Sequence, residues 1–156
     1  MSAVDTLELF SGIGWMSLGL HSEDFKTHGF DASERAVAMT NENGLASAVV
    51  DVFDPEIVDK MRRVQPTPMF IHASPPCKGH SQASASTQDQ KQMWNSLTIR
   101  AADIIVQLKP PVAILKNVLT ARQNGNWKYA VARLNANDYH SVSVCPDACK
   151  MGINVP

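Results

Sequence analysis

Short apolar runs alternate with longer amphipathic segments along the whole of this chain, and that rhythm admits few folds. Parallel strands need a long crossover between them, usually a helix laid across the sheet. The pattern therefore predicts βαβ units: a mostly parallel sheet flanked by helices. Strands are predicted at Thr6 to Phe10, Phe30 to Ser33, Ala48 to Phe53, Met69 to His72, Val112 to Leu115 and Ser141 to Cys145. Helices fit Trp15 to Ser22, Arg35 to Asn43, Pro55 to Val64, Met93 to Leu108 and Trp127 to Asn135. The third helix has the best local start signal. Asp54 can cap its first turn while Pro55 stands at the first helical position, where no amide is required.

Composition narrows the class. With 156 residues, 44% hydrophobic and 19% charged, the chain is expected to be a single domain over residues 1–156 that buries roughly two-thirds of its unfolded surface. Three cysteines, Cys77, Cys145 and Cys149, are too few and odd in number for a disulfide framework. Neither a signal-peptide pattern nor an apolar run of membrane-spanning length is present, so a reducing, cytoplasmic setting without a membrane partner is expected. The net charge of −1 excludes the strongly basic face of a typical nucleic-acid binder; contacts to phosphates must be borrowed from elsewhere.

Two stretches carry chemistry. Ser74-Pro75-Pro76-Cys77-Lys78-Gly79-His80-Ser81 follows the apolar run Met69, Phe70, Ile71. A cysteine held by two prolines at the mouth of a buried strand is placed to react, whereas a packing cysteine would sit inside the run. The next segment, Gln82 to Gln92, holds only Ser, Thr, Ala, Gln, Asp and Lys and is expected to be a mobile loop closing over the cysteine. The second stretch, Leu7-Glu8-Leu9-Phe10-Ser11-Gly12-Ile13-Gly14, reads as a strand entering a glycine turn and then a helix. Glycines let backbone approach a ligand, and the helix start offers amides to an anion. A Gly-x-Gly alone is common in tight turns, and Trp15 and Met16 stand where the full dinucleotide fingerprint wants small residues. Glu34, after Phe30 to Ser33, and Asp51, within Val49-Val50-Asp51-Val52, are acids at later strand ends, the edge where open α/β sheets bind ligands and an acid can accept from a ribose hydroxyl or an adenine amine. By residue type alone, each also fits an ordinary helix-start or turn acid.

Together with Lys116-Asn117-Val118, these residues resemble the DNA (cytosine-5) methyltransferases over almost the whole chain. Leu9 to Gly14 resembles the first cofactor motif, and Glu34 and Asp51 fall where the second and third motifs place acids. Pro76-Cys77 matches the nucleophile motif, and Asn117-Val118 matches the tail of a Glu-Asn-Val motif. The resemblance implies a three-layer α/β, Rossmann-like fold of the S-adenosylmethionine-dependent methyltransferase type. It implies S-adenosylmethionine as cofactor, bound through Phe10, Ser11, Gly12, Ile13, Gly14, Glu34 and Asp51, with Phe10 on the adenine, Glu34 on the ribose and Asp51 on the adenine amine. Cys77 would be the thiolate that adds to cytosine, with Pro76, Lys116 and Asn117 around it. The substrate would be double-stranded DNA with the target base flipped out of the stack. No metal is expected. A zinc site could be assembled by ligand type from Cys77-x-x-His80 and Cys145-x-x-x-Cys149, but its halves lie far apart in sequence and the proline pair fits a reactive cysteine equally well.

The match has departures. Lysine at position 116 replaces the family's glutamate, and lysine donates but cannot accept, so an impaired site is expected. Trp15 replaces a usual glycine and is expected to pack under the sheet; His72 is expected to be a core histidine and His80 to line the loop. The last residues, Asp147 to Pro156, look like the approach to the family's Gln-x-Arg-x-Arg segment. The chain is thus expected to be truncated before the target-recognition domain, with base choice and phosphate contacts supplied by a missing C-terminal region or a partner chain. Two alternatives remain from the sequence: a non-catalytic S-adenosylmethionine-binding module or half-subunit of a split enzyme, and an RNA cytosine-5 methyltransferase. The cellular setting implied is the cytoplasm, at the nucleoid of a bacterium or phage-infected cell.

Overall fold

The computed structural model describes residues 4–77 and 87–146. Five parallel strands, β1 (Thr6–Leu9), β2 (Thr27–Asp31), β3 (Ala46–Val49), β4 (Phe70–Ala73) and β5 (Val112–Leu115), form one sheet in the order β3-β2-β1-β4-β5. The helices are α1 (Trp15–His21), α2 (Glu34–Glu42), α3 (Ile57–Val64), α4 (Gln88–Leu108) and α5 (Gly125–Asn135), with a 3-10 turn at Leu119–Gln123. The chain grows outward from β1 through β2 to β3, then crosses back to place β4 on the other side of β1. That reversal opens a crevice beyond the carboxyl ends of β1 and β4, the usual ligand position in open α/β sheets. The glycine turn leaves β1 there, and Pro75-Pro76-Cys77 leaves β4 there.

Register decides which residues form the core. Leu7 and Leu9 lie beside Ile71 and Ala73, and the period of two puts all four on one face. They join one apolar cluster with Ile57, Val58 and Met61 of α3 and Ala101, Ala102, Ile104 and Ile105 of α4. Burying each large aliphatic side chain there contributes about 1.5–3 kcal/mol. Ala130 and Leu134 carry α5 into the same cluster, and Arg133 of α5 bonds Asp103 of α4 at 3.0 Å. The opposite face of β1 is polar: Thr6 and Glu8 are buried, and Ser17 of α1 donates to the Glu8 carboxylate at 2.5 Å.

β4 and β5 fall within a residue of their predicted ranges, but β2 and β3 start earlier than expected, at Thr27 and Ala46. Pairing sets these limits, β2 with β1 and β3 with β2, since Thr6 lies opposite Thr27 and His28 opposite Ala46. Thr27, His28 and Gly29 are not apolar, so the strand starts before its hydrophobic signal. The predicted strand Ser141 to Cys145 is not one: these residues are exposed and join no ladder. Alternating valines favour an extended backbone, but a strand also needs a partner for its amides.

Helix starts differ too. Glu56, not Asp54, occupies the cap position of α3; Asp54 accepts from the Glu56 amide at 2.8 Å and pairs with Lys60, and Pro55 lies in that preceding turn. α4 begins at Gln88, because Thr87 and Gln90 form a reciprocal capping box. Residues 88–92, expected in a mobile loop, are therefore the first turns of this helix; residues 82–86 lie outside the described residues. No helix among the described residues is long and apolar enough to cross a membrane.

Candidate active site

The turn after β1 is built from unusual backbone. Phe10, Gly12 and Gly14 have φ of 60°, 55° and 82°, so three of five consecutive residues are left-handed, and for Phe10 that conformation is costly. Hydrogen bonds hold it: Ser11 N donates to Phe30 O at 3.2 Å, Gly12 N to Asp31 Oδ2 at 2.8 Å, and Gly14 N to Ser11 O at 3.0 Å. From α2, Thr40 Oγ1 donates to Gly12 O at 3.2 Å. Gly14 and Gly29 are required for space. A Cβ on Gly14 would lie 3.0 Å from Thr40, and one on Gly29 would lie 2.7 Å from Ser11 Oγ and 2.9 Å from Ser47 Oγ. A Cβ on Gly12 would meet nothing within 4 Å, so the turn faces open space there, as a cradle for a ligand must.

Both predicted acids border this crevice. Glu34 is the first residue of α2, is exposed, and makes no side-chain hydrogen bond with another described residue. Asp51 is exposed just beyond β3; its Oδ1 accepts from Phe53 N at 2.9 Å and closes a local turn, leaving Oδ2 without a donor among the described residues. Open space at Gly12, a half-buried Phe10 and an uncommitted Glu34 carboxylate form a set that suits a nucleoside with free ribose hydroxyls.

The cysteine loop is held from both sides. Ser74 N donates to Leu9 O of β1 at 3.2 Å, and Lys116 N donates to Ala73 O at 2.8 Å. Asn117 Nδ2 donates to Pro75 O at 3.4 Å, and its Oδ1 accepts from Val118 N at 2.8 Å, tying the turn after β5 to the proline pair. Pro75 is buried, Pro76 half-buried, and Cys77 exposed with a free thiol. Lys116 is also exposed. Thus the structure brings Pro76, Cys77, Lys116 and Asn117 to neighbouring strand ends and Phe10, Ser11, Gly12, Ile13, Gly14, Glu34 and Asp51 to the adjoining ones. His80 and Cys149 lie outside the described residues. A hollow lined by residues 109–113 and 137–140 opens at the amino end of β5, the opposite pole, and takes no part in this site.

Three features were missed by reading the sequence. Asp31, at the end of β2, accepts from the turn and from Ser33 N at 2.9 Å; the predicted strand ran through it. Gly29 is the gap that Ser11 and Ser47 share, and only its closeness to both serines reveals this. Glu8, 2% exposed, bonds Ser17 and lies 3.4 Å from His72 Nδ1. That contact has ion-pair distance without good hydrogen-bond alignment, so His72 is a core histidine with a weak partner. Trp15 corrects an expectation. It is 73% exposed, because Ser17 takes the inward position of α1 and a residue two places away points elsewhere.

The sequence profile of C-5 cytosine-specific DNA methylases matches residues 4–154. The chain belongs to this family. Among its relatives, the type II methyltransferase M1.BsuMI of Bacillus subtilis (strain 168) is 25% identical over 97% of this chain. The chain spans 40% of that relative's length. A crystal structure of a Spodoptera frugiperda DNMT2 mutant superposes with a TM-score of 0.57 at 18% identity, covering 85% of this chain and 41% of that one. A short chain dehydrogenase/reductase family oxidoreductase from Burkholderia thailandensis scores 0.61 at 12% identity, over 86% of this chain and 60% of that one. The architecture is therefore shared across chemistries, and the sheet confirms the α/β, Rossmann-like class without choosing a reaction. The residues that carried the sequence resemblance, Pro76-Cys77 and Lys116-Asn117-Val118, directly follow β4 and β5.

Proposed function

We propose that this chain is the cofactor-binding and catalytic part of an enzyme that methylates carbon 5 of cytosine in DNA. The observation that carries the reading is the exposed Cys77 thiol on a proline-braced loop beside the glycine crevice, in a C-5 methylase chain. S-adenosylmethionine, when bound, supplies an electrophilic methyl group. Phe10, Ser11, Gly12, Ile13, Gly14, Glu34 and Asp51 hold it, with the Glu34 carboxylate suited to ribose hydroxyls.

The work of this chain's residues follows from cytosine's chemistry. Carbon 5 is a weak nucleophile until a thiolate adds to carbon 6, which turns the ring into an enamine-like species. The Cys77 thiolate would form that carbon–sulfur bond as the carbon 5–carbon 6 π electrons move to carbon 5, and the methyl group would pass to carbon 5 as its bond to the sulfonium sulfur breaks, leaving S-adenosylhomocysteine. Loss of the carbon 5 proton to solvent water and expulsion of the thiolate would restore the aromatic ring and the free cysteine. A stacked base cannot reach Cys77, so the cytosine is flipped out. Asn117 and Pro76 hold the loop in place. Lys116 can polarise the ring but cannot accept from the exocyclic amine, which slows the reaction. With a net charge of −1, the phosphate contacts and base choice come from residues outside this chain or from a partner chain. The site of action is the DNA of a bacterial or phage-infected cell.

The test is capture on duplex DNA containing 5-fluorocytosine, with S-adenosylmethionine and a complementing chain present. Fluorine at carbon 5 blocks the final elimination, so a covalent adduct accumulates. Cys77→Ser should abolish the adduct; an adduct surviving in that variant would assign the attack to another residue. Lys116→Glu should raise methylation of ordinary cytosine, and no gain would sink the account of the lysine. The exposed Lys116 also favours a second reading, a half-subunit that binds cofactor without transferring methyl. S-adenosylhomocysteine binding with no transfer by either variant would support it.

A further inference from the structure

Arg100 belongs to no motif described above, yet its guanidinium reaches from α4 to the loop that carries Asp51. Its Nε donates to the Val52 carbonyl at 2.7 Å, across 48 residues of chain, and it makes no ion pair with another described residue. Val52 is 6% exposed, and a backbone carbonyl in such surroundings calls for a partner.

That bond falls on a peptide unit with a second role. The Val52 carbonyl and the Phe53 amide belong to the same planar group, and this amide donates to Asp51 Oδ1 at 2.9 Å. Arg100 therefore holds one side of the plane and the Asp51 carboxylate meets the other. If the plane turned, Phe53 N would leave Oδ1 and the carboxylate would lose its fixed orientation. A cation on the carbonyl also polarises the unit and strengthens its amide as a donor. The anchor itself is firm, because Arg100 adjoins Ala101 and Ala102, both fully buried in the core cluster. On the other side of Asp51, Val50 N is tied to Asp31 O at 2.9 Å, so the loop is held at both flanks.

We propose that Arg100 is a positioning residue: through the Val52–Phe53 peptide it sets the Asp51 carboxylate for the exocyclic amine of adenine, and so gives the crevice its preference for adenine over a base without that amine. This deepens the cofactor reading above and rests on Asp51 as the acceptor. Hypoxanthine is the telling comparison, since it carries a carbonyl where adenine carries the amine, and a carboxylate facing a carbonyl has no proton to accept. A site built to bond an N–H rejects the analogue that lacks it.

The experiment titrates S-adenosylhomocysteine and S-inosylhomocysteine, its hypoxanthine counterpart, by calorimetry against the parent chain, Arg100→Ala, Arg100→Lys, Asp51→Ala, the double variant of Arg100→Ala with Asp51→Ala, and Arg62→Ala. Arg62 is the matched control: its Nη2 donates to the Gln107 carbonyl at 3.0 Å, another side-chain-to-carbonyl tie, at the end of α4 away from the crevice. The parent should prefer the adenine ligand about 100-fold. Arg100→Ala should weaken the adenine ligand about 10-fold and leave the hypoxanthine ligand within about twofold, so the preference falls about 10-fold. Arg100→Lys keeps the charge and a donor on a shorter reach; it should fall between, and it carries the test if the alanine variant does not fold. Without the Asp51 carboxylate, Arg100→Ala should change neither affinity by more than about twofold. Arg62→Ala should keep the parent's preference. The inference is overturned if the folded Arg100 variants keep that preference, if both ligands weaken alike, if Arg100→Ala costs as much without Asp51 as with it, or if Arg62→Ala loses the preference equally. A parent that binds both ligands without preferring adenine overturns the role of Asp51, and a parent that binds neither overturns the cofactor reading; the parent titrations alone tell these apart from a failure of Arg100.

Discussion

The crevice has two unlike walls. On the side of β1, β2 and β3, side chains and amides interlock: Asp31 holds the turn and the α2 cap, Thr40 holds Gly12, and Ser11 and Ser47 meet over Gly29. On the side of β4 and β5, the described loops are joined by backbone bonds and by a long Asn117 side-chain bond of 3.4 Å, and exposed Cys77, Lys116, Val118 and Leu119 stand on them. On the proposed reading, the two walls answer opposite demands. A small ligand is bound tightly by groups already in place before it arrives. A nucleophile that must meet a base drawn from DNA has to stay accessible, with only its supporting loop fixed.

The contrast can be broken most directly at Gly29. Gly29→Ala forces a methyl group against Ser11 and Ser47, so it should cost about 1–3 kcal/mol of stability in urea denaturation. An unchanged midpoint would mean that the interlocked wall is looser than its distances state. Asn117→Ala removes a side-chain tie between the two loops of the opposite wall. Its loss should be about 0.5–1.5 kcal/mol at most, with a larger relative effect on capture of 5-fluorocytosine DNA than on melting. A greater stability loss than that of Gly29→Ala would invert the comparison.

The smallest expected effect is a pH dependence confined to the interlocked wall. Burial holds the His28 imidazole below its ordinary pKa, so the folded chain keeps it neutral where the unfolded chain takes up a proton. Stability therefore falls as pH drops below about 6.5. His28→Gln should flatten the melting temperature between neutral pH and pH about 5, the range in which an ordinary imidazole titrates. A variant with the same slope as the parent would remove His28 from the account.

Much of this was legible before any coordinates. Runs such as Leu7 to Leu9 and Val112 to Leu115 identify strands because short stretches rich in aliphatic and β-branched residues between turn signals suit a sheet. Pro76 and Cys77 stood out by residue type and Asn117 by the family resemblance, and the structure carries them to adjacent strand ends. The early starts of β2 and β3 were not legible, since Thr27, His28 and Ser47 enter the sheet through backbone pairing rather than apolarity. Asp54 was credited with the α3 cap because it precedes a proline, and only the geometry shows it closing a separate turn. The polar stretch at residues 88–92 resembled a loop because a long helix reaching beyond the core has no apolar side to display there.

By itself, the sequence determined the layer architecture and singled out candidate reactive groups, because periodicity and side-chain chemistry are local. Tertiary structure alone decided that Asp31, 19 residues from Gly12, closes the glycine turn, that Gly29 makes room for two serines, and that Trp15 faces solvent. Each depends on which backbones lie side by side, and in a parallel sheet that is set by crossovers between strands distant in the chain.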